Sequence, residues 1–303
     1  MTTFGAQFLR YPDLFPARAG GERWGDASFV VDLPGGPYRV NGLSPEQYAA
    51  MAERYDGYQA EPSIVASFES ELFASDSSDF LGVPHPQWEY SLELESTPAG
   101  LRVAGLDFMA RIGFDSGTGG AVWTSEGRQS HFIGVIENFL RVAAAHRIAA
   151  SGAALIHSSG VSVAGKCVLF VGHSGAGKST IASLAAARGH EVLSDDLNVV
   201  SRGERGWQAI RMPFAGDFQS TACRNEFPLA AIVRLRKGPD HALAPLLQGE
   251  CFSLLLSSAP FVNADANRVS ALEDTLLRLV SDVPAWTLTF RRDEGLWPII
   301  ESL

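Results

Sequence analysis

Apolar and polar residues alternate in short runs through the first third of the chain, and the period lengthens to that of helices after residue 130. Residues 28–33 and 38–40 flank the turn Pro34-Gly-Gly-Pro37, which predicts a two-stranded hairpin. Ser44, Pro45 and Glu46 place a capping hydroxyl and a first-turn proline ahead of a helix running to Tyr55. Asp76-Ser-Ser-Asp79 and Pro84-His-Pro86 read as a linker, so the chain is divided into residues 1–85 and 86–303. Alternation returns at 88–95, 101–103 and 108–114, with a Gly-rich turn at 117–120. These strands either extend a later sheet or stand apart from it. Residues 131–150 carry helical spacing in Ile133, Ile136, Phe139, Leu140 and Val142, closed by Gly152. Further strands are predicted at 155–163, 166–171, 191–194 and 229–235, the last followed by a solvated turn at 236–238, and helices at 179–188 and 269–280. Trp286 and Trp297 are expected in the core or an interface.

The segment between the strand at 166–171 and the helix at 179–188 reads Gly172-His-Ser-Gly-Ala-Gly-Lys-Ser-Thr180, a full G-x-x-x-x-G-K-[ST] pattern in strand–loop–helix context. Glycines at 172, 175 and 177 allow successive N–H groups to converge at a helix N-terminus, the geometry that holds nucleotide phosphates. Lys178 then supplies a point charge to the outer phosphates and Ser179 a hydroxyl for Mg²⁺. After the helix, the apolar run 191–194 ends in Asp195-Asp196, and two carboxylates can divide metal binding from deprotonation of an attacking hydroxyl. Alone, the pair reads equally well as an acidic turn. His157, in the strand at 155–163, is by itself more often a satisfied core or turn histidine than a catalytic one. Arg211 and Arg224 are the arginines placed to reach a triphosphate, or else to pair with surface acids.

The order His157, Gly172 to Ser179, Arg188-Gly-His190 and Asp195-Asp196 resembles the bacterial HPr kinase/phosphorylases and their relatives, including kinases of peptide biosynthesis clusters. The likeness is close over 155–200 and looser at 137–141 and 283–290. It implies an α/β fold with a P-loop kinase core of the HPr kinase/PEP-carboxykinase-like type, preceded by an N-terminal α+β region. It further implies that Gly172, His173, Ser174, Gly175, Ala176, Gly177, Lys178, Ser179 and Thr180 bind ATP, and that Ser179 and Asp196 bind Mg²⁺. Asp195 would be the base and His157 would lie near the transferred phosphate. The Glu-Val/Ile-Arg-Gly-Leu-Gly signature of HPr kinases is missing after the acidic pair, and position 173 is His rather than Asp or Glu. The resemblance therefore implies an acceptor other than HPr.

Composition narrows the partners. A chain of 303 residues, 46% hydrophobic, can bury a large core. A net charge of −10 without a basic run disfavours nucleic acid and anionic membranes, both of which reward clustered Lys and Arg. Three cysteines far apart fit a reducing compartment, and neither a leader pattern nor a long apolar stretch is present, so a cytoplasmic location is expected. The sequence supports an ATP-dependent kinase acting on a serine of a protein or peptide. A P-loop ATPase or switch module, or a small-molecule kinase of the same fold, stays open, as does a homo-oligomer. No Asn-Lys-x-Asp motif supports guanine binding. The region from Phe29 to Tyr55 is a candidate element for acceptor docking.

Overall fold

A computed structural model describes residues 21–75, 92–105, 107–114, 119–125, 131–214, 218, 220–222 and 225–303. The linker reading of 76–86, the start of the turn at 117, and Arg224 lie outside the described residues. The chain divides into two compact units, Met1–Ala144 and Ala145–Leu303, each carrying a mixed sheet.

The first unit contains β1 (Ala27–Leu33), β2 (Gly36–Leu43), helix α1 (Pro45–Arg54), β3 (Phe68–Ser75), β4 (Glu93–Thr97), β5 (Gly100–Gly105), β6 (Phe108–Gly113) and β7 (Gly120–Ser125). The predicted hairpin forms across Gly35 and Gly36, both at positive φ. The predicted cap of α1 is a capping box. The Ser44 hydroxyl accepts from Gln47 N at 3.2 Å, and Gln47 Oε1 accepts from Ser44 N at 3.0 Å. The strands order as β1-β2-β3-β7-β6-β5-β4. Strands β4–β7 thus pair with the early strands through β3 and β7, and do not extend the later sheet. Tyr38, Val40, Leu72 and Val122 are fully buried in this unit.

Helix α2 (Phe132–Ala150) runs through the division between the units. The second unit contains β8 (Ala154–Val163), β9 (Lys166–Val171), α3 (Lys178–Arg188), β10 (Glu191–Ser194), β11 (Leu197–Gly203), β12 (Gly206–Arg211), β13 (Glu226–Lys237) and β14 (Ala242–Pro245). It ends with α4 (Gln248–Ser258), α5 (Val269–Asp282), β15 (Ala285–Phe290) and α6 (Trp297–Ile300). Strand β8 organises it. Its residues from Ser158 onward pair antiparallel with β9, while its other edge meets β10 and then β11. Ser194 faces Gly160 and Leu197 faces His157, and Ser158 N donates to Asp196 O at 2.9 Å. β10 and β11 are therefore one ladder broken at Asp195-Asp196.

On the far side of β9, strand β13 runs parallel to it and to β15. Arg236 and Lys237, expected in a turn, are instead the last residues of β13, because β15 offers Thr289 and Phe290 as ladder partners. Val161, Phe170, Ile181, Val233, Leu288 and Trp297 form the buried core between α3 and the sheet. Removing side chains such as Phe170 or Ile181 from water contributes ~1.5–3 kcal/mol each. Trp297 is fully buried, as expected for a core residue. Among the described residues no helix is long and apolar enough to cross a membrane.

Candidate functional site

β9 ends at Val171, inside the core, and the chain turns over Gly172 to Gly177 before entering α3. Gly175 and Gly177 have φ of 75° and 113°, a region that side chains with a Cβ rarely adopt. At Gly177 space forbids a side chain as well, since a Cβ would lie 2.7 Å from the Phe290 ring. A Cβ on Gly172 would come 2.7 Å from that of Ala176, so the turn closes tightly on itself. Gly177 serves as N-cap of α3 without any side chain, which leaves the first-turn N–H groups without a side-chain cap. His173, Ser174, Gly175 and Ser179 are exposed around this helix start. The His173 ring folds onto the Ser174 carbonyl, with Nδ1 at 2.6 Å from the oxygen. At the other end Gly189, at φ 88°, terminates α3 as its sequence predicts.

Lys178 is buried, and its Nζ donates to Gly172 O at 3.0 Å, bridging the two ends of the loop. Burial holds its ammonium below the usual lysine range, and the negative charges of Asp196 and then Asp195 pull it back up. The loop cation and the acidic pair therefore feel one another across the break in the β10–β11 ladder.

That break has its own support. The Ser194 hydroxyl accepts from Asp196 N at 3.1 Å and from Leu197 N at 3.3 Å, fixing the kink that turns the two carboxylates away from strand geometry. Behind it, Asn198 Nδ2 donates to Ser158 O at 2.8 Å and to the Ser158 hydroxyl at 3.1 Å. Gly160 leaves room for this amide, since a Cβ there would lie 2.8 Å from Asn198 Oδ1. Asp195 is 4% exposed, and one of its oxygens accepts from Phe218 N at 3.4 Å. Asp196 is the more open of the two, and its Oδ1 lies 3.5 Å from His157 Nε2 on the facing strand, an ion pair when the imidazole is protonated. His157 is half exposed.

The loop, Asp195, Asp196 and His157 thus lie on adjoining elements of one unit. Arg211 donates to the Ser220 hydroxyl at 3.1 Å and reaches Ala222 O at 3.5 Å. Ser158, Ser194 and Asn198 were not singled out in the sequence. The signal was present as polar residues inside otherwise apolar strands, next to His157 and on either side of the acidic pair. Among the described residues no three His, Cys, Asp or Glu side chains group to hold a metal by themselves.

Residues 126–303 match the family model described as SynChlorMet cassette protein ScmC. Among solved structures the chain is similar to the Hpr(Ser) kinase/phosphatase from Coxiella burnetii, at 13% identity and a TM-score of 0.30. That match covers 49% of this chain and 87% of the other. No curated protein matches the sequence.

Proposed function

The chain belongs to the family described as SynChlorMet cassette protein ScmC, and we propose that it is an ATP-dependent kinase transferring the γ-phosphate to a hydroxyl, that of a serine of a protein or peptide other than HPr. One observation carries the reading. The buried cation Lys178, at the start of a helix entered through glycines at positive φ, shares its surroundings with the Asp195-Asp196 break and His157. The residues 172–180 fit nucleotide phosphates, because the helix start has no side-chain cap, its neighbours His173, Ser174, Gly175 and Ser179 are exposed, and glycines at positive φ shape the turn that enters it.

They fit Mg²⁺ in a particular way. Two protein oxygens, from Ser179 and Asp196, are too few for a metal site of their own, which suits an ion that completes its shell with substrate phosphates. When bound, the ion would neutralise charge on the outer phosphates. Lys178 would bind the same phosphates as a fixed point charge. Asp195, held by Phe218 N, would accept the proton of the acceptor hydroxyl, and His157 would orient Asp196. An ATPase or a small-molecule kinase would use the same loop; the paired carboxylates favour transfer to a hydroxyl over hydrolysis.

With γ-labelled ATP and candidate peptides or cell extract, label is expected on a serine or threonine as an acid-stable phosphoester. Label recovered only as inorganic phosphate would overturn the kinase reading in favour of an ATPase. For docking, the region from Phe29 to Tyr55 is bounded by fully buried residues, and removing everything before Trp88 would take three strands out of the first sheet. The exposed face of α1 is the better probe. Glu46→Lys with Glu53→Lys is expected to raise the KM for the acceptor and leave ATP binding unchanged; an unchanged acceptor KM would remove α1 from the docking surface.

A further inference from the structure

The loop has an acidic flank and a basic flank. Asp195, Asp196 and His157 all lie on the side of β9 where β8, β10 and β11 run. On the opposite side, β13 and β15 run parallel to β9 and outlast it: Val171, the last residue of β9, pairs with Arg234, whereas β13 continues through Leu235, Arg236 and Lys237, paired with Leu288, Thr289 and Phe290. Three more residues carry these strand ends about 10 Å beyond the end of β9. The loop leans on this extension, because its first glycine would meet Leu235 and its last would meet Phe290 if either had a Cβ.

The strand ends are cationic in a chain of net charge −10. Arg236 and Lys237 close β13, Arg291 and Arg292 follow β15, and all four are exposed. Arg291 is tied to Asp293, whose carboxyl also receives Gly295 N and the His241 ring and is held down at about 2 by these contacts, the Gly295 N–H first. This fixes the turn after Phe290. Arg236, Lys237 and Arg292 pair with no described acid.

A nucleotide has a direction. If its outer phosphate faces the acidic pair, its α-phosphate and nucleoside leave the loop the other way, across the carboxyl ends of parallel strands where such ligands are bound in open α/β sheets. We infer that the ends of β13 and β15 form the subsite for the α-phosphate and nucleoside, with Lys237 and Arg292 as binding groups that take no part in the chemistry. This rests on the nucleotide reading above and adds its orientation.

Calorimetry with ATP and with inorganic tripolyphosphate separates the two ideas. Lys237→Ala with Arg292→Ala is expected to weaken ATP binding roughly tenfold, the size of two lost contacts from solvent-exposed cations, and to leave tripolyphosphate binding unchanged. Lys178→Ala should weaken both ligands. Lys166→Ala with Arg205→Ala, the same loss of charge at exposed positions at the start of β9 and in the turn between β11 and β12, should weaken neither. Unchanged ATP affinity in the Lys237/Arg292 variant, equal weakening of both ligands, or an equal loss in the control pair would overturn the subsite while the kinase reading stood. A wild-type protein that binds neither ligand would overturn the kinase reading and the subsite with it.

Discussion

Lys178→Ala is expected to weaken ATP binding at least roughly a hundredfold and to abolish turnover. The ammonium sits buried against Gly172 O, with Asp196 and Asp195 as its nearest negative influences. A positive charge held there is already desolvated, so the phosphates that it meets do not compete with bulk water for it. Alanine removes the charge and also the bond that ties the helix start to the first glycine of the loop. Charge-assisted hydrogen bonds are worth ~1.5–3 kcal/mol each, and a triphosphate would lose more than one of them, which corresponds to at least roughly a hundredfold in affinity. Calorimetry on wild type and variant side by side measures this directly. Equal affinity and equal turnover in the two proteins would mean that the loop does not hold phosphate.

Asp195→Asn separates chemistry from binding. The amide keeps the size of the carboxylate but cannot accept a proton from an acceptor hydroxyl, so transfer should fall by roughly 10²-fold or more with ATP affinity retained. The Phe218 N–H contact to this side chain survives if the amide oxygen takes the carboxylate's place, so the fold should be unchanged. Asp196→Asn should instead raise the Mg²⁺ concentration needed for half-maximal activity, since that carboxylate is the more open of the two and is the partner of His157. His157→Ala should reduce transfer less than Asp195→Asn, because it acts through Asp196. Single-turnover transfer of label at saturating ATP distinguishes these cases. Transfer at the wild-type rate in Asp195→Asn would leave the pair as an acidic kink of the sheet and nothing more.

What the sequence determined by itself was everything that depends on neighbours along the chain. The glycine loop, the start of α3 at Lys178 and its end at Gly189, the capping box on Ser44 and Gln47, and the hairpin over Gly35 and Gly36 are set by φ preferences and hydrogen bonds spanning a few residues. Strands β8, β9, β10 and the centre of β13 were legible for the same reason, as apolar runs bounded by turns, whereas β11, β12 and β15 were not among the predicted strands. What only the tertiary structure decided depends on partners far away in sequence. Arg236 and Lys237 look like a solvated turn until Thr289 and Phe290 supply a parallel ladder. Strands β4–β7 join the first sheet through the pairing of β3 with β7, which no local pattern encodes. Asp195-Asp196 becomes a defined break, with both negative charges felt by Lys178, because β8 holds β10 and β11 in one register and the Ser194 hydroxyl satisfies the backbone at the kink. Register between strands is fixed by which faces are buried together, and that is known only once the whole sheet has formed.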